Sequence, residues 1–160
     1  QNGMDRVEFM LSANPGESLK PLEKVASGGE MSRIMLAFKA IAANADSIPT
    51  LIFDEIDTGI SGHIAAVVGE KMVSIADNHQ VLCVTHLPQI AALADVHFMV
   101  QKQDDGQTTR TSLKRLEMEE RYEYIARMMS GMEDSKLAYE HARELITHSE
   151  EIKQKRRKNK

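Results

Sequence analysis

The most informative segment of the chain is Val25-Ala26-Ser27-Gly28-Gly29-Glu30-Met31-Ser32-Arg33. Its serine and two glycines stand where a helical pattern begins. The start of a helix presents unpaired backbone N–H groups and the positive end of the helix dipole, which suit the phosphates of a nucleotide. We therefore expect Ser27, Gly28, Gly29 and Glu30 to belong to one half of an ATP site.

Ser27 and Glu30 also fit a purely structural arrangement. A serine followed three residues later by a glutamate is a capping box, in which each side chain accepts a hydrogen bond from the backbone of the other residue. The glycines then turn the chain into the helix, and their lack of a Cβ also lets a phosphate approach the backbone. The two interpretations are compatible, and both make Ser27 the N-cap.

A second motif, Leu51-Ile52-Phe53-Asp54-Glu55, ends a short apolar strand with two acids. Ligands bind at the carboxyl ends of such strands, and phosphoryl transfer needs a carboxylate for magnesium and a group that positions water. We expect Asp54 to hold Mg²⁺ and Glu55 to act as general base on the attacking water. A helix cap and a solvated acid are the alternative.

Thr85-His86 closes the next apolar strand in the same way. There His86 can donate a hydrogen bond to a terminal phosphate and sense its presence, although a satisfied structural histidine is the alternative. Asp57 begins the turn Asp57-Thr58-Gly59 beside the site, where a loop that contacts another subunit is expected. The other histidines lack metal-ligand spacing, so we expect no zinc site.

Apolar periodicity outlines the remaining elements. Strands are predicted at 6–13, 50–53, 80–85, 96–101 and 108–113, and helices at 30–45, 61–76, 87–94, 118–129 and 137–146. Strands that alternate with helices indicate an α/β fold with a mostly parallel sheet, flanking helices and a helical C-terminal extension. The strands at 50–53 and 80–85 are expected to be buried on both faces.

Length and composition favour one soluble domain over residues 1–150. The chain has 160 residues, is 42% hydrophobic and contains one cysteine, Cys83, which we expect to be buried and reduced. It lacks a secretory signal and does not begin with Met, so a cytoplasmic piece of a longer polypeptide is expected. Six of the 20 Lys and Arg residues lie in the last eight positions. Residues 151–160 are therefore predicted to form a disordered basic tail, with DNA contact as the alternative.

The order and spacing of these motifs resemble the ABC-type ATPases. Ser27–Glu30 is similar to the signature loop, Leu51–Glu55 to a Walker B strand with its catalytic glutamate, Asp57 to the D-loop and His86 to the switch histidine. Glu30 points to the structural-maintenance-of-chromosomes (SMC) branch. The longer strings at 26–33, 53–62 and 84–95 closely resemble the RecN family of bacterial DNA repair proteins.

This resemblance implies the C-terminal lobe of an ABC/SMC-type P-loop NTPase head. The implied cofactors are ATP and Mg²⁺, and the implied partners are an N-terminal Walker A lobe of the same polypeptide, a second head that receives Ser27–Glu30 in trans, and DNA. The implied role is double-strand break repair and recombination by a nucleoid-associated protein. No Gly-x-x-x-x-Gly-Lys-Ser/Thr loop occurs in the sequence, so this chain alone is expected to be inactive.

Two other functions remain open at the level of sequence. The nucleotide-binding subunit of an ABC transporter would share these motifs, but it would have a membrane partner and no coiled coil. A nonenzymatic scaffold or DNA-binding module would keep the fold without the chemistry. Under that alternative, replacing Glu55 changes neither nucleotide turnover nor head pairing.

Overall fold

The computed structural model describes residues 3–12, 16–25, 27–42, 48–104, 108–132 and 135–158. In chain order the elements are β1 (Met10–Leu11), β2 (Lys20–Pro21), α1 (Leu22–Val25), α2 (Gly28–Ala42), β3 (Thr50–Phe53), α3 (Gly62–Ala76), β4 (Gln80–Cys83), α4 (Pro88–Ala91), β5 (Phe98–Asp104), β6 (Thr109–Arg115), α5 (Met118–Ser130) and α6 (Lys136–Lys158). The predicted α/β class is confirmed.

The described strands form three two-stranded sheets, β1–β2, β3–β4 and β5–β6. The predicted parallel sheet is represented within the described ranges by β3–β4, whose strands are joined through α3. Thr50 pairs with Gln80 and Phe53 with Cys83, so both strands end at the same edge. This register brings the two sets of polar residues that follow the strands to one side of the molecule.

The β3–β4 pair is buried on one face, and the prediction of burial on both faces is wrong. Leu51 and Phe53 are buried in a cluster with Leu36 of α2 and with apolar residues of α3. Ile52, which points the other way, is 70% exposed, and Val84 is exposed as well. Alternate residues of a strand point to opposite faces, so the second face of this pair presents apolar side chains at the surface.

The periodicity that predicts a helix at 30–45 places Ile34, Met35, Phe38, Ile41 and Ala42 on one apolar face, and in the structure this face is directed largely outward. The buried residues of α2 are Gly29 and Leu36, whereas Met35, Phe38 and Ile41 are exposed. The sequence is apolar on more than one side of α2, so periodicity alone did not identify the side that packs on β3. The helix therefore adds to the apolar surface of this part of the chain.

A second apolar cluster joins α4, α5 and α6. Its buried members are mostly alanine and isoleucine: Ala91, Ala92, Ile125, Ala126, Ala138, Ala142 and Ile146. The predicted break between the last two helices is confirmed, because Gly131 ends α5 with a φ of 66°, a left-handed conformation that glycine adopts at little cost. Alanine at the contacts lets α5 and α6 approach closely.

The end of the chain is helical rather than disordered, so the prediction for the tail is wrong for residues 151–158. Lys153 Nζ lies 3.0 Å from Asp95 Oδ1, and Arg156 Nη2 lies 3.2 Å from Asp77 Oδ2. These ion pairs join the last turns of α6 to the end of α3 and to the segment before β5. Two of the charges assigned to a free tail are thus used within the chain.

The remaining predictions differ from the structure mainly at their boundaries. The strands predicted at 96–101 and 108–113 are present and pair as the hairpin β5–β6, and the helix predicted at 87–94 is present as the shorter α4. The strand predicted at 6–13 is reduced to Met10–Leu11, and the strand predicted at 80–85 ends at Cys83. Ala26, the predicted breaks at 14–15 and 105–106, the predicted helix end at 43–45 and the end of the tail at 159–160 lie outside the described residues. Across the described ranges, no helix combines the length and apolar character that crossing a membrane requires.

Candidate functional site

The start of α2 is a capping box, as predicted. The Ser27 backbone N–H donates to Glu30 Oε2 over 2.8 Å, and the Glu30 backbone N–H donates to Ser27 Oγ over 3.4 Å. The backbone hydrogen bond from Ser27, followed by the bond from its hydroxyl, holds the pKa of Glu30 below its usual value. The box therefore fixes the entry of the chain into α2 and keeps the start of the helix at the surface.

The two glycines allow the acidic loop, residues 54–61 between β3 and α3, to pack against the start of α2. A Cβ on Gly29 would lie 2.9 Å from the carbonyl oxygens of both Glu55 and Thr58. A Cβ on Gly28 would lie 2.7 Å from Glu55 Oε2. The absence of Cβ atoms at these two positions, which we expected to let the chain turn and a phosphate approach, also permits this close packing within the chain.

Two polar side chains of α2, to which the sequence assigned no role, bind the backbone of the acidic loop. Ser32 Oγ donates to the Asp54 carbonyl over 3.1 Å. Arg33 Nη1 donates to the carbonyls of Ile56 and Thr58, over 3.0 and 2.9 Å. Arg33 is four residues after Gly29 and so shares its helix face, which is the sequence signal for this contact.

Asp54 and Glu55 follow β3 and are both exposed, as a role at a ligand site requires. The Glu55 backbone N–H donates to Asp54 Oδ1 over 3.0 Å. Glu55 has a φ of 58°, in the left-handed region that costs a non-glycine residue about 1–3 kcal/mol. This conformation turns its carboxylate towards Gly28, so the expected general base lies beside the start of α2.

Asp57 and His86 are in contact, although the sequence analysis gave them separate roles. Asp57 is buried, and its Oδ2 accepts hydrogen bonds from Thr85 Oγ1 over 2.5 Å and from the His86 backbone N–H over 2.8 Å. Burial raises the pKa of the Asp57 carboxyl, but these bonds and the His86 ring outweigh it, so the pKa lies below its usual value. The His86 ring itself is 73% exposed.

The donors present fit magnesium better than a metal held entirely by protein. Within the described part of the chain, no group of three or more His, Cys, Asp or Glu side chains is arranged to hold a metal ion. Magnesium commonly takes one or two carboxylates together with water and phosphate oxygens, and the exposed Asp54 can supply such a ligand. Cys83 is not expected to act as a metal ligand, because its thiol stays protonated. Burial, followed by the charges of Asp57 and Asp54, raises the pKa of this thiol to about 12.

The candidate site is an open surface. The acidic loop contacts the start of α2 on one side and the end of β4 on the other, so it connects all the residues expected to act in the site. A groove of about 290 Å³ beside β3 is lined by residues that include Met31, Met35 and Ile52. A larger groove of about 560 Å³ lies between the β5–β6 hairpin, α5 and α6, away from the acidic loop. An open arrangement of this kind suits a site that other protein surfaces complete.

Comparison with curated proteins identifies relatives over nearly the whole chain. No family model matches the chain. It is 51% identical over 153 residues to the DNA repair protein RecN of Halalkalibacterium halodurans, covering 96% of this chain and 27% of that protein. It is 46% identical over 154 residues to the RecN of Bacillus subtilis, covering 96% and 27%. The chain thus spans about a quarter of the length of these relatives.

Comparison with solved structures identifies the fold. A structure described as "Structural biochemistry of ATP-driven dimerization and DNA stimulated activation of SMC ATPases" matches with a TM-score of 0.52 and 23% identity. The match covers 72% of this chain and 68% of that chain. This likeness confirms the predicted fold, which the matched part of the chain shares with that SMC ATPase structure.

Proposed function

Because the chain belongs to the RecN family of DNA repair proteins, we propose that it is the C-terminal lobe of the family's ATPase head and acts in double-strand break repair and recombination. The observation that carries this proposal is that the acidic loop contacts two other motifs. It holds the start of α2 and the end of β4 together, so three motifs that are separate in the sequence share one surface. Within one head, an ATPase needs the carboxylates after β3 beside the histidine after β4, and the parallel register of the two strands supports this.

The proposed chemistry uses two carboxylates and one imidazole. Asp54 holds Mg²⁺, which neutralises charge on the phosphates of ATP, and Glu55 orients the attacking water and accepts its proton. His86 contacts the terminal phosphate. Exposure of all three side chains supports these roles, since each group must reach a ligand.

The start of α2 is proposed to act on a second head. Ser27, Gly28, Gly29 and Glu30 cover the ATP held by that head, so that bound nucleotide joins two heads and hydrolysis separates them. The exposure of Ser27 and Gly28 and the helix dipole support this role, because the positive end of the dipole favours an anion at this helix start. The structural neighbour is itself described as undergoing ATP-driven dimerization.

The N-terminal Walker A lobe of the same polypeptide is the proposed partner of the exposed β3–β4 face. Ile52, Leu82 and Val84 present apolar surface there, and clustered exposed apolar side chains mark interaction sites. The relatives extend well beyond the region matched here, which leaves room for such a lobe. Without the Walker A lysine and amides, this chain alone is proposed to be inactive.

DNA is the proposed macromolecular partner. The relatives are named DNA repair proteins, and the neighbouring SMC structure is described with DNA-stimulated activation. The proposed setting is the bacterial nucleoid. No feature of the structure favours a transporter subunit over this assignment.

The test is Glu55→Gln in the full-length protein, with ATP turnover and head association measured. Loss of the general base should lower turnover by about 10²–10⁴-fold while ATP binding persists. Heads should then stay associated in ATP, because the step that separates them is blocked. Glu70→Gln removes an exposed carboxylate from α3 and should leave turnover unchanged.

Two results would contradict the proposal. If the wild-type protein is as inert as Glu55→Gln with ATP and Mg²⁺ bound, the catalytic assignment fails. If both proteins turn over ATP equally, Glu55 is not the base.

A further inference from the structure

Asp57 is a buried carboxylate at an otherwise exposed site. Its side chain is 3% exposed, whereas the His86 ring beside it is 73% exposed. Burial of an ionised carboxylate is costly unless hydrogen bonds compensate it. Here a single oxygen, Oδ2, accepts from Thr85 Oγ1 and from the His86 backbone N–H, and it lies 3.1 Å from His86 Nδ1.

The Thr85 hydroxyl extends this arrangement to the backbone beyond β4. Thr85 Oγ1 donates its proton to Asp57 and accepts a hydrogen bond from the Leu87 backbone N–H over 3.0 Å. The backbone on both sides of His86 is therefore held, directly or through Thr85, by Asp57. The carboxylate belongs to the acidic loop, so this loop determines where the segment 85–87 lies.

The ring of His86 has a defined orientation for the same reason. A carboxylate oxygen close to Nδ1 favours the form of imidazole that carries a proton there. The opposite ring nitrogen, Nε2, is then the atom left for a ligand. A carboxylate that orients a histidine in this way acts through the histidine and does not touch the ligand itself.

We propose that Asp57 is a positioning residue for His86 of its own chain, which it holds with Nδ1 towards the acidic loop and Nε2 towards the terminal phosphate of bound nucleotide. The phosphate part of this inference rests on the proposed ATPase function. From the sequence we expected the turn Asp57-Thr58-Gly59 to contact another subunit. Thr58 and Gly59 remain exposed for such a contact, but the Asp57 carboxylate is engaged within its own chain.

The orientation of the ring can be tested without any ATPase activity. In this chain labelled with ¹⁵N-histidine, at a pH where imidazole is neutral, the ring nitrogen shifts report which nitrogen carries the proton. We expect His86, assigned with a His86→Gln variant, to be protonated at Nδ1 in the wild type and to shift towards Nε2 in Asp57→Asn. A wild-type His86 protonated at Nε2, or one unaffected by Asp57→Asn, would overturn the proposal.

The functional consequence is tested by a double-mutant cycle in the full-length protein. Asp57→Asn should lower kcat by about 10–100-fold, the loss typical when the partner that orients a functional histidine is removed, with KM little changed. If Asp57 acts through His86, adding Asp57→Asn to His86→Ala should cause no further loss. Additive losses would mean that Asp57 acts elsewhere and would overturn the proposal.

Thr85 provides a gentler variant, should Asp57→Asn fail to fold. Thr85→Val removes the hydroxyl that links Asp57 to the backbone and should lower kcat, whereas Thr85→Ser retains the hydroxyl and should restore it. Asp95→Asn removes a carboxylate that pairs with Lys153 and should leave kcat unchanged. Equal activity of Thr85→Val and Thr85→Ser would overturn the positioning role.

Together with the Glu55→Gln test, the ring measurement and the double-mutant cycle separate this inference from the proposed function. If turnover does not depend on Glu55, the ATPase assignment fails, and the ring orientation still decides whether Asp57 positions His86. If turnover depends on Glu55 but the cycle is additive, the ATPase assignment stands and the role of Asp57 is refuted.

Discussion

The acidic-loop region and the C-terminal helical unit of α4, α5 and α6 each contain a buried apolar cluster, but they differ at the surface. In the first region, side chains such as Arg33 also bind backbone carbonyls, and Glu55 and His86 stay exposed. In the second region, Ile125 and Ala142 are fully buried among apolar neighbours. The polar contacts of the first region hold the backbone of the acidic loop in place while charged side chains remain free to reach a ligand.

The two regions also differ in how much apolar surface they leave exposed. The helical unit buries an apolar cluster between its helices, and burial of apolar surface is the main driving force of folding. The β3–β4 pair leaves Ile52 and Val84 at the surface beside the acidic loop. The helical unit therefore supplies its own stability, whereas the site region has surfaces for other partners.

The largest effect is expected from opening a cavity in the helical unit. Ile146 is 2% exposed, and Ile146→Ala should lower the free energy of unfolding by about 2–5 kcal/mol, because the cavity adds to the lost burial. Urea denaturation of the chain measures the change. Leu137→Ala, at an exposed position of the same helix, is the control and should cost about 0.5 kcal/mol or less. Equal losses at the two positions would contradict the packing described.

An intermediate effect is expected where the acidic loop meets α2. Gly29→Ala places a Cβ against two backbone carbonyls and should destabilise the chain by about 1–3 kcal/mol, less any gain in helix propensity. Gly28→Ala meets only the flexible Glu55 side chain and should cost less. Thermal unfolding of the two variants compares them. A Gly29→Ala protein as stable as Gly28→Ala would mean that the loop does not pack tightly on the helix.

The smallest effect is expected on the exposed face of β3. Ile52→Thr keeps a β-branched side chain at a surface position, so the free energy of unfolding of this chain should change by about 0.5 kcal/mol or less. In the full-length protein, where we propose that the N-terminal lobe covers this face, the same substitution should lower the unfolding temperature of the head. A large loss in this chain alone would instead show that Ile52 is covered within it.

Local patterns in the sequence were sufficient for most of the elements and for the capping box, whereas the short β2 and α1 were not predicted. The strand at 50–53 and the pairing of Ser27 with Glu30 both depend on residues a few positions apart. The side of α2 that faces the core was not predictable, because residues on several sides of the helix are apolar. The helical end of the chain was missed for a similar reason, since Lys153 and Asp95 are 58 residues apart.

Local sequence identified the residues that can do chemistry: a helix that begins at Ser27-Gly28-Gly29, and strands that end in Asp54-Glu55 and Thr85-His86. Their arrangement became visible in the folded chain, where Glu55 is exposed beside Gly28 and Asp57 is buried against His86, 29 residues away. This difference follows from separation along the chain. Spacing within one turn of helix or one strand fixes local hydrogen bonds, whereas the packing of the acidic loop on α2 and β4 determines which distant groups meet and which carboxylates lose contact with water.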